Sequence, residues 1–334
     1  MESNTHKFAI ALHGGAGTIP KDESPTLIRQ YEESLANYLN IGVEILKSGG
    51  TSLDAVQAVV VALEDDPLFN AGKGAVFNHN GHHELEASIM NGSDLKCGAT
   101  SGLKHIKNPV ILARKILEDC PHCWLASEGA EEFARGKKLE FVDQSYYFTE
   151  TRFKQLQEAL KDNTIRQDHS YIPKVMTPNE LSNQEEIKLF KHMFEIKKNK
   201  MGTVGCVAID SDGNLAAATS TGGRTNKMAG RVGDTPTIGA GTYANNKTCA
   251  VSGTGWGEKF MNILVAHDIH CLMDYKEMTL QDAADLVVMK KLDPGDGGVV
   301  AVSHDYEIAM PFNCPGMFRA AADHKGLNIV KIWE

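Results

Sequence analysis

Thr203 follows Gly202 at the point where a charged stretch gives way to the apolar run Thr203-Val-Gly-Cys-Val-Ala-Ile-Asp210. A threonine hydroxyl is a weak nucleophile until a base takes its proton. Cleavage of the Gly202–Thr203 bond would expose an α-amino group with an unperturbed pKa of roughly 7.7–8.0, close to working pH. Nucleophile and base would then share one residue, held together by covalent geometry, and Gly202 keeps side-chain bulk away from the bond to be attacked. A Gly-Thr pair is also an ordinary way to begin a strand, so the pair alone leaves both readings open.

Three glycine-rich segments follow: Thr219-Ser-Thr-Gly-Gly223, Gly230-Arg-Val-Gly-Asp234 and Ser252-Gly-Thr-Gly-Trp-Gly257. Each sets polar side chains beside permissive backbone, which suits close approach to a ligand. Asp65-Asp66 and the nearby Phe69-Asn-Ala-Gly-Lys-Gly-Ala-Val-Phe77 suggest an oxygen-lined loop for a hard cation, or two solvated acids at a helix end. Cys120-Pro-His-Cys123 has the spacing of a redox pair. It follows a helical run instead of opening one, and no second ligand pair is spaced to make it a zinc site, so it reads as structural. Gly239-Ala-Gly-Thr-Tyr-Ala244 fits the loose dinucleotide fingerprint without a βαβ unit around it, and reads as a turn. The P-loop, zincin and nucleophile-elbow motifs are absent. The sequons at Asn91 and Asn246 matter only in a secreted protein.

Positioning these segments requires a mixed set of elements. Residues 7–12 form an apolar strand that ends in His13-Gly-Gly-Ala-Gly17, where the backbone must turn tightly or approach something closely. Leu27, Ile28, Tyr31, Leu35, Leu39, Val43 and Leu46 recur at three and four, predicting a long helix stopped by Gly49-Gly50. Ser52 is expected to cap a second, largely buried helix to about Asp65. Further helices are expected near 106–118, 127–135, 150–161, 259–274 and 280–292, the last capped by Thr279 and Asp282. The segment from about 162 to 202 is rich in charge and reads as a mobile linker. Beyond it, 203–210 and 214–220 form a hairpin about Ser211-Asp212-Gly213. A second hairpin, 299–302 with 308–310, closes the chain.

Composition bounds the possibilities. The 334 residues are 42% hydrophobic and 23% charged, values of an ordinary globular chain long enough to bury its own core. A formal charge of -9 without a long basic run makes nucleic acid and anionic membrane poor partners. No apolar stretch is long enough to span a bilayer. The N-terminus carries neither a basic leader region nor a cleavage site, and the seven scattered cysteines suit reduced thiols, so a cytoplasmic chain is expected.

Taken together, His13-Gly-Gly-Ala-Gly17, Phe69-Asn-Ala-Gly72, Gly202-Thr-Val-Gly205 and the three glycine-rich segments resemble, in order, the plant-type L-asparaginases or isoaspartyl peptidases. These are N-terminal-nucleophile hydrolases. The resemblance implies a four-layer αββα sandwich, built from an α subunit (1–202) and a β subunit (203–334) produced by autocleavage between Gly202 and Thr203. It implies Thr203 as nucleophile, Thr221 as the residue that tunes it, and Thr254 hydroxyl with Gly255 N–H as oxyanion hole. Arg231 would hold the substrate α-carboxylate, Asp234 the α-ammonium, Gly257 a backbone contact, and Asn70 the border of the site. The charges of Arg231 and Asp234 on one loop complement an amino-acid zwitterion, whatever the family. The implied substrates are L-asparagine and β-aspartyl dipeptides, cleaved through a β-aspartyl ester on Thr203. No catalytic cofactor is implied. A structural sodium ion would sit in a loop of mainly backbone oxygens drawn from Leu63, Glu64, Asp66, Phe69, Ala71 and Lys73, and the subunits would associate as (αβ)2.

Two residues depart from the expected pattern. Arg224 brings a further cation near the site, bearing on the leaving-group preference, and Lys73 places a positive side chain beside the sodium loop. Rival readings are a glycosylasparaginase, a taspase-like endopeptidase, a non-cleaving binding protein of the same fold, and a thiol oxidoreductase using Cys120 and Cys123.

Overall fold

The computed structural model describes residues 6–161 and 202–333. Residues 162–201 of the expected linker lie outside the described residues. An eight-stranded sheet runs in the order β12 (Asn328–Lys331), β11 (Gly316–Asp323), β1 (Ala9–Gly17), β5 (Val204–Ile209), β6 (Leu215–Thr221), β2 (Leu85–Asn91), β3 (Cys97–Leu103) and β4 (Trp124–Ala126). Only the β3–β4 pair is parallel. A second sheet of four antiparallel strands has the order β10 (Ile308–Ala309), β9 (Gly297–Ser303), β8 (Cys249–Gly255) and β7 (Thr242–Ala244).

Alternation along the strands sorts side chains into separate cores. On one face of the large sheet, Ile10, Leu12, Cys206, Ala208, Ala216 and Ala218 pack beneath α1 (Pro25–Lys47) and α2 (Ser52–Asp65). On the other, Ala9, Ala11, Val207, Ile209 and Ala217 meet Ala250, Val300 and Val302 of the small sheet. The far face of the small sheet buries Val251, Val299 and Ala301 against α7 (Val265–Lys276) and α8 (Leu280–Leu286). Fully burying each large aliphatic side chain contributes roughly 1.5–3 kcal/mol. Two further helices, α3 (Pro109–Asp119) and α4 (Ser127–Gly136), pack on β3. Two further α-helices among the described residues are α5 (Glu150–Lys161) and α6 (Gly257–Ile263).

Several local expectations are corrected. Of the two expectations for His13-Gly-Gly-Ala-Gly17, close approach holds and the turn does not: β1 continues to Gly17, its register with β11 shifting between His13 and Gly15, and Gly15 lies against Gly202. Thr51, not Ser52, caps α2, its hydroxyl accepting the Asp54 N–H at 3.1 Å. The helix expected over 259–274 is broken at Leu264, where φ is 52°. The final hairpin does not close the chain, because β11 and β12 follow it and complete the edge beside β1. The expected cap of α8 is present, with Thr279 Oγ1 accepting the Asp282 N–H at 3.2 Å. Among the described residues, no helix is long and apolar enough to cross a membrane.

Candidate active site

Thr203 precedes β5, Thr221 ends β6 and Thr254 lies near the end of β8. Each is in phase with the residues that face the space between the two sheets, so alternation brings three hydroxyls, distant in sequence, to one end of that space. All three are buried. The Thr203 hydroxyl donates to Thr221 Oγ1 at 3.2 Å, and Thr221 Oγ1 also accepts the Gly223 N–H at 3.0 Å. Thr254 Oγ1 accepts the Ala16 N–H at 3.1 Å, which leaves its own proton available as a donor. Gly255 has no room for a side chain, since a Cβ there would collide with the Asp296 carbonyl. Gly15 is constrained from the other side: its φ is +116°, and a Cβ would lie 2.6 Å from the Gly202 nitrogen, the residue before Thr203. The glycines of the β1 segment therefore admit the Gly202–Thr203 backbone.

A buried polar chain, unexpected from the sequence, runs from Thr203 between the sheets. His13 Nδ1 lies 2.9 Å from the Thr203 carbonyl, which can only accept, so Nδ1 carries the proton. Burial pushes the imidazole down to about 3, and the ring is neutral at working pH. Nε2 must then accept, from the Ser252 hydroxyl at 2.8 Å. Ser252 Oγ in turn accepts from Thr219 at 2.8 Å, and Thr219 from Thr242 at 2.6 Å. Ser88 Oγ ends the chain, 2.7 Å from Thr242 Oγ1 and 2.6 Å from the Thr235 carbonyl. Every proton from Thr242 onward is thus oriented toward His13. Gly205 makes space for this chain, because a Cβ there would strike the Ser252 hydroxyl.

The charged end of the site is the 228–234 loop. Arg231 does not stand open: its Nε and Nη2 each donate to Glu258 at 3.0 Å, a bidentate fork. Arg224 approaches the same carboxylate, Nη1 to Oε2 at 3.6 Å, and stacks over the Trp256 ring at 5.1 Å. Asp234 is buried, and burial pushes its carboxyl up to about 7 although Arg231 opposes the rise. Gly257 lies between the two charges, and a Cβ there would be 2.8 Å from both Arg231 Nη2 and Asp234 Oδ1. Beneath the loop, Glu84 accepts the Gly230 N–H and Glu86 the Gly233 N–H at 3.0 Å. The fully buried Lys227 pairs with Glu86 at 3.4 Å and donates to the Glu84 carbonyl at 2.9 Å. Burial lowers the pKa of Lys227, against the pull of Glu86.

Asn70 does more than border the site. Its Nδ2 donates to the Gly223 carbonyl at 2.8 Å and its backbone carbonyl accepts the Gly222 N–H at 3.2 Å, tying the 63–73 loop to the turn after Thr221. That loop is closed by the Lys73 N–H on the Glu64 carbonyl at 2.7 Å. Leu63, at the end of α2, has no helical donor four residues on, because Pro67 lacks an N–H. The Phe69 and Pro67 carbonyls converge on Gly74, where a Cβ would fill the space before them. These neutral oxygens fit a weakly charged hard cation. Among the described residues no cluster of three or more His, Cys, Asp or Glu side chains fits a metal ion. The Asp66 carboxylate is engaged by Ser34, Tyr38 and the Leu68 N–H. The Lys73 ammonium lies 5.7 Å from the Tyr146 ring centre.

Comparison with known proteins follows the same line. A family model described as "Asparaginase" matches residues 6–332. The chain is 48% identical to a putative isoaspartyl peptidase/L-asparaginase of Dictyostelium discoideum, over 94% of this chain and 92% of that protein. It is 45% identical to the isoaspartyl peptidase of Escherichia coli (strain K12), over 94% and 92% respectively. A probable isoaspartyl peptidase/L-asparaginase 2 of Arabidopsis thaliana is 42% identical over 98% of this chain and 99% of its own.

Proposed function

The chain belongs to the asparaginase family, and from that premise we propose that it hydrolyses the side-chain amide of L-asparagine and the isopeptide bond of β-aspartyl dipeptides. The observation that carries the residue assignment is the convergence of the Thr203, Thr221 and Thr254 hydroxyls beside a loop bearing Arg231 and Asp234.

Maturation comes first. The Thr203 hydroxyl attacks the Gly202 carbonyl, the C–N bond breaks to free the Thr203 amine as an ester forms, and water hydrolyses the ester to release Gly202. That amine then takes the hydroxyl proton of its own residue as Thr203 attacks the substrate amide carbon. Thr221 Oγ1 holds the nucleophile's oxygen in place. Thr254 O–H and Gly255 N–H stabilise the oxyanion of the tetrahedral intermediate, which collapses with release of ammonia or the leaving amino acid. Water hydrolyses the β-aspartyl ester. Arg231 binds the α-carboxylate, Asp234 the α-ammonium, and Gly257 leaves room for the substrate Cα between them. Asn70 positions the turn after Thr221.

The same reading includes a four-layer αββα sandwich with subunits 1–202 and 203–334, an (αβ)2 assembly and a cytoplasmic location. It also includes a sodium ion held by the backbone oxygens of the 63–73 loop, where it would stiffen the Asn70 tether. The deciding experiment is intact mass spectrometry of wild type beside Thr203→Ala, followed by ammonia release from L-asparagine. Two fragments meeting at Gly202 and Thr203 in the wild type alone are expected. A single uncut chain in both, with no amidase activity, would overturn the assignment.

A further inference from the structure

The Cys120-Pro-His-Cys123 motif is left unused by the hydrolase reading. Cys120 caps the C-terminal end of α3, and its sulfur accepts the His122 N–H at 3.4 Å. Cys123 is exposed and enters the parallel β3–β4 ladder through its carbonyl, which accepts the Ala99 N–H at 2.8 Å. With Ala99 opposite Trp124, Gly98 stands opposite Cys123, and Cys97 is its diagonal neighbour. Strand spacing and rise put that diagonal at roughly 6 Å between Cα atoms, inside the range a disulfide spans. Cys123 lies in the bend before β4, outside strand alternation, and its thiol reaches toward that of Cys97, which packs at the margin of the core between the sheets. Burial, with the adjacent Cys123 thiol, pushes the Cys97 thiol up to about 11.

We propose that Cys123 and Cys97, not Cys123 and Cys120, form a thiol oxidation site at the edge of the large sheet. Its reagent class is the two-electron oxidants, of which hydrogen peroxide is the simplest. The exposed Cys123 thiolate attacks one peroxide oxygen and becomes a sulfenic acid as the O–O bond breaks and hydroxide leaves, which takes up the proton the thiol gave up and becomes the first water. The Cys97 sulfur then attacks the sulfenic sulfur. An S–S bond forms, the S–O bond breaks, and the released hydroxide takes the Cys97 proton to leave as a second water. Two thiols lose two electrons and one peroxide gains them. The half-buried Cys97 acts as the resolving thiol, which requires proximity more than intrinsic acidity.

The test treats the full chain with hydrogen peroxide under native conditions, alkylates the remaining thiols, and maps peptides by mass spectrometry without reduction. Wild type and Cys120→Ser are both expected to yield a Cys97–Cys123 linked peptide about 2 Da lighter than its two reduced halves together. Cys97→Ser is expected to leave Cys123 as a sulfinic acid. A Cys120–Cys123 link in the wild type would overturn the proposal. So would over-oxidised Cys123 with Cys97 still alkylated.

Discussion

The bidentate contact between Arg231 and Glu258 sets up a competition whose size follows from the structure. Arg231 is the proposed clamp for the substrate α-carboxylate, yet both of its outward donors are engaged by Glu258 at 3.0 Å. Glu258 is held below the usual carboxylate range: burial pulls its pKa up, and Arg231, with Arg224 behind it, outweighs that pull. The carboxylate is 42% exposed, so solvent screens the pair and about 1 kcal/mol is a reasonable measure of what a substrate must displace. Glu258→Gln should therefore lower KM about fivefold with kcat unchanged, since the interaction is lost before chemistry begins. Arg224 has the opposite effect. Its Nη1, 3.6 Å from the same carboxylate, offers Glu258 a partner when Arg231 turns to substrate. Arg224→Met should raise KM roughly twofold to threefold, about 0.5 kcal/mol.

The two changes make a double-mutant cycle. If the contact is a competition, Arg224→Met has no effect in the Glu258→Gln background, because the charge it helps release is gone. The assay is steady-state ammonia release from L-asparagine at low and at high salt, with the wild-type penalty shrinking as salt screens the pair. A rise in KM for Glu258→Gln would refute the competition. It would mean that Glu258 holds Arg231 in its productive orientation and belongs to the binding site.

Other consequences are more direct. Thr254→Val should lower kcat roughly 10²–10³-fold with a small change in KM, as expected for a donor used mainly in the transition state, measured by steady-state kinetics on the matured enzyme. Ser252→Ala should destabilise the fold by about 1–3 kcal/mol by orphaning His13 Nε2, and ¹⁵N NMR of the imidazole should show loss of the single Nδ1–H tautomer while wild type keeps it. Asp234 has a folded pKa of about 7, above its unfolded value, so its burial penalty is absent below about pH 4, grows as pH rises and is complete above pH 7. Asp234→Asn should accordingly gain stability over wild type between pH 5 and pH 8, on the order of 2–4 kcal/mol, in denaturant titrations at the two pH values.

How much of this was legible in the sequence depends on the range over which each residue acts. Thr203, Thr221 and Thr254 could be picked out because each lies in a short glycine-rich motif, and strand alternation does the rest once the strands are in place. The long α1 helix and the 204–221 hairpin were legible for the same reason, since their signals are local periodicity and turn chemistry. What was missed depends on distant partners. β11 is rich in alanine and carries Arg319, a pattern that reads poorly as a strand, yet its pairing with β1 and β12 defines it. The His13–Ser252 bond joins residues 239 apart in sequence, and no spacing rule reaches that far. Glu258 sits in the first turn of a helix, a common place for an acid, and nothing local in the sequence ties it to Arg231.

On the proposed roles of Arg231 and Asp234, the same long-range contacts favour a substrate that is a free zwitterion at its α-carbon. In the substrate-free chain the two charges assigned to the substrate are both restrained: Arg231 is forked to Glu258, and burial leaves Asp234 about half protonated at pH 7. An α-carboxylate arriving at Arg231 replaces one carboxylate by another, and an α-ammonium arriving at Asp234 lowers its pKa and stabilises the ionised form. Each substrate charge thus makes the site receptive to the other, since an ionised Asp234 strengthens the field that holds Arg231 in the loop. Lys227, buried against Glu86 below the loop, keeps the Gly230–Gly233 backbone fixed while this exchange occurs. A blocked α-amine leaves Asp234 protonated or unpaired, and a blocked α-carboxylate leaves Arg231 with Glu258. Either loss removes the cue that orients the β-carbonyl toward Thr203, so discrimination against ordinary peptides and N-blocked asparagine is built into the charge arrangement.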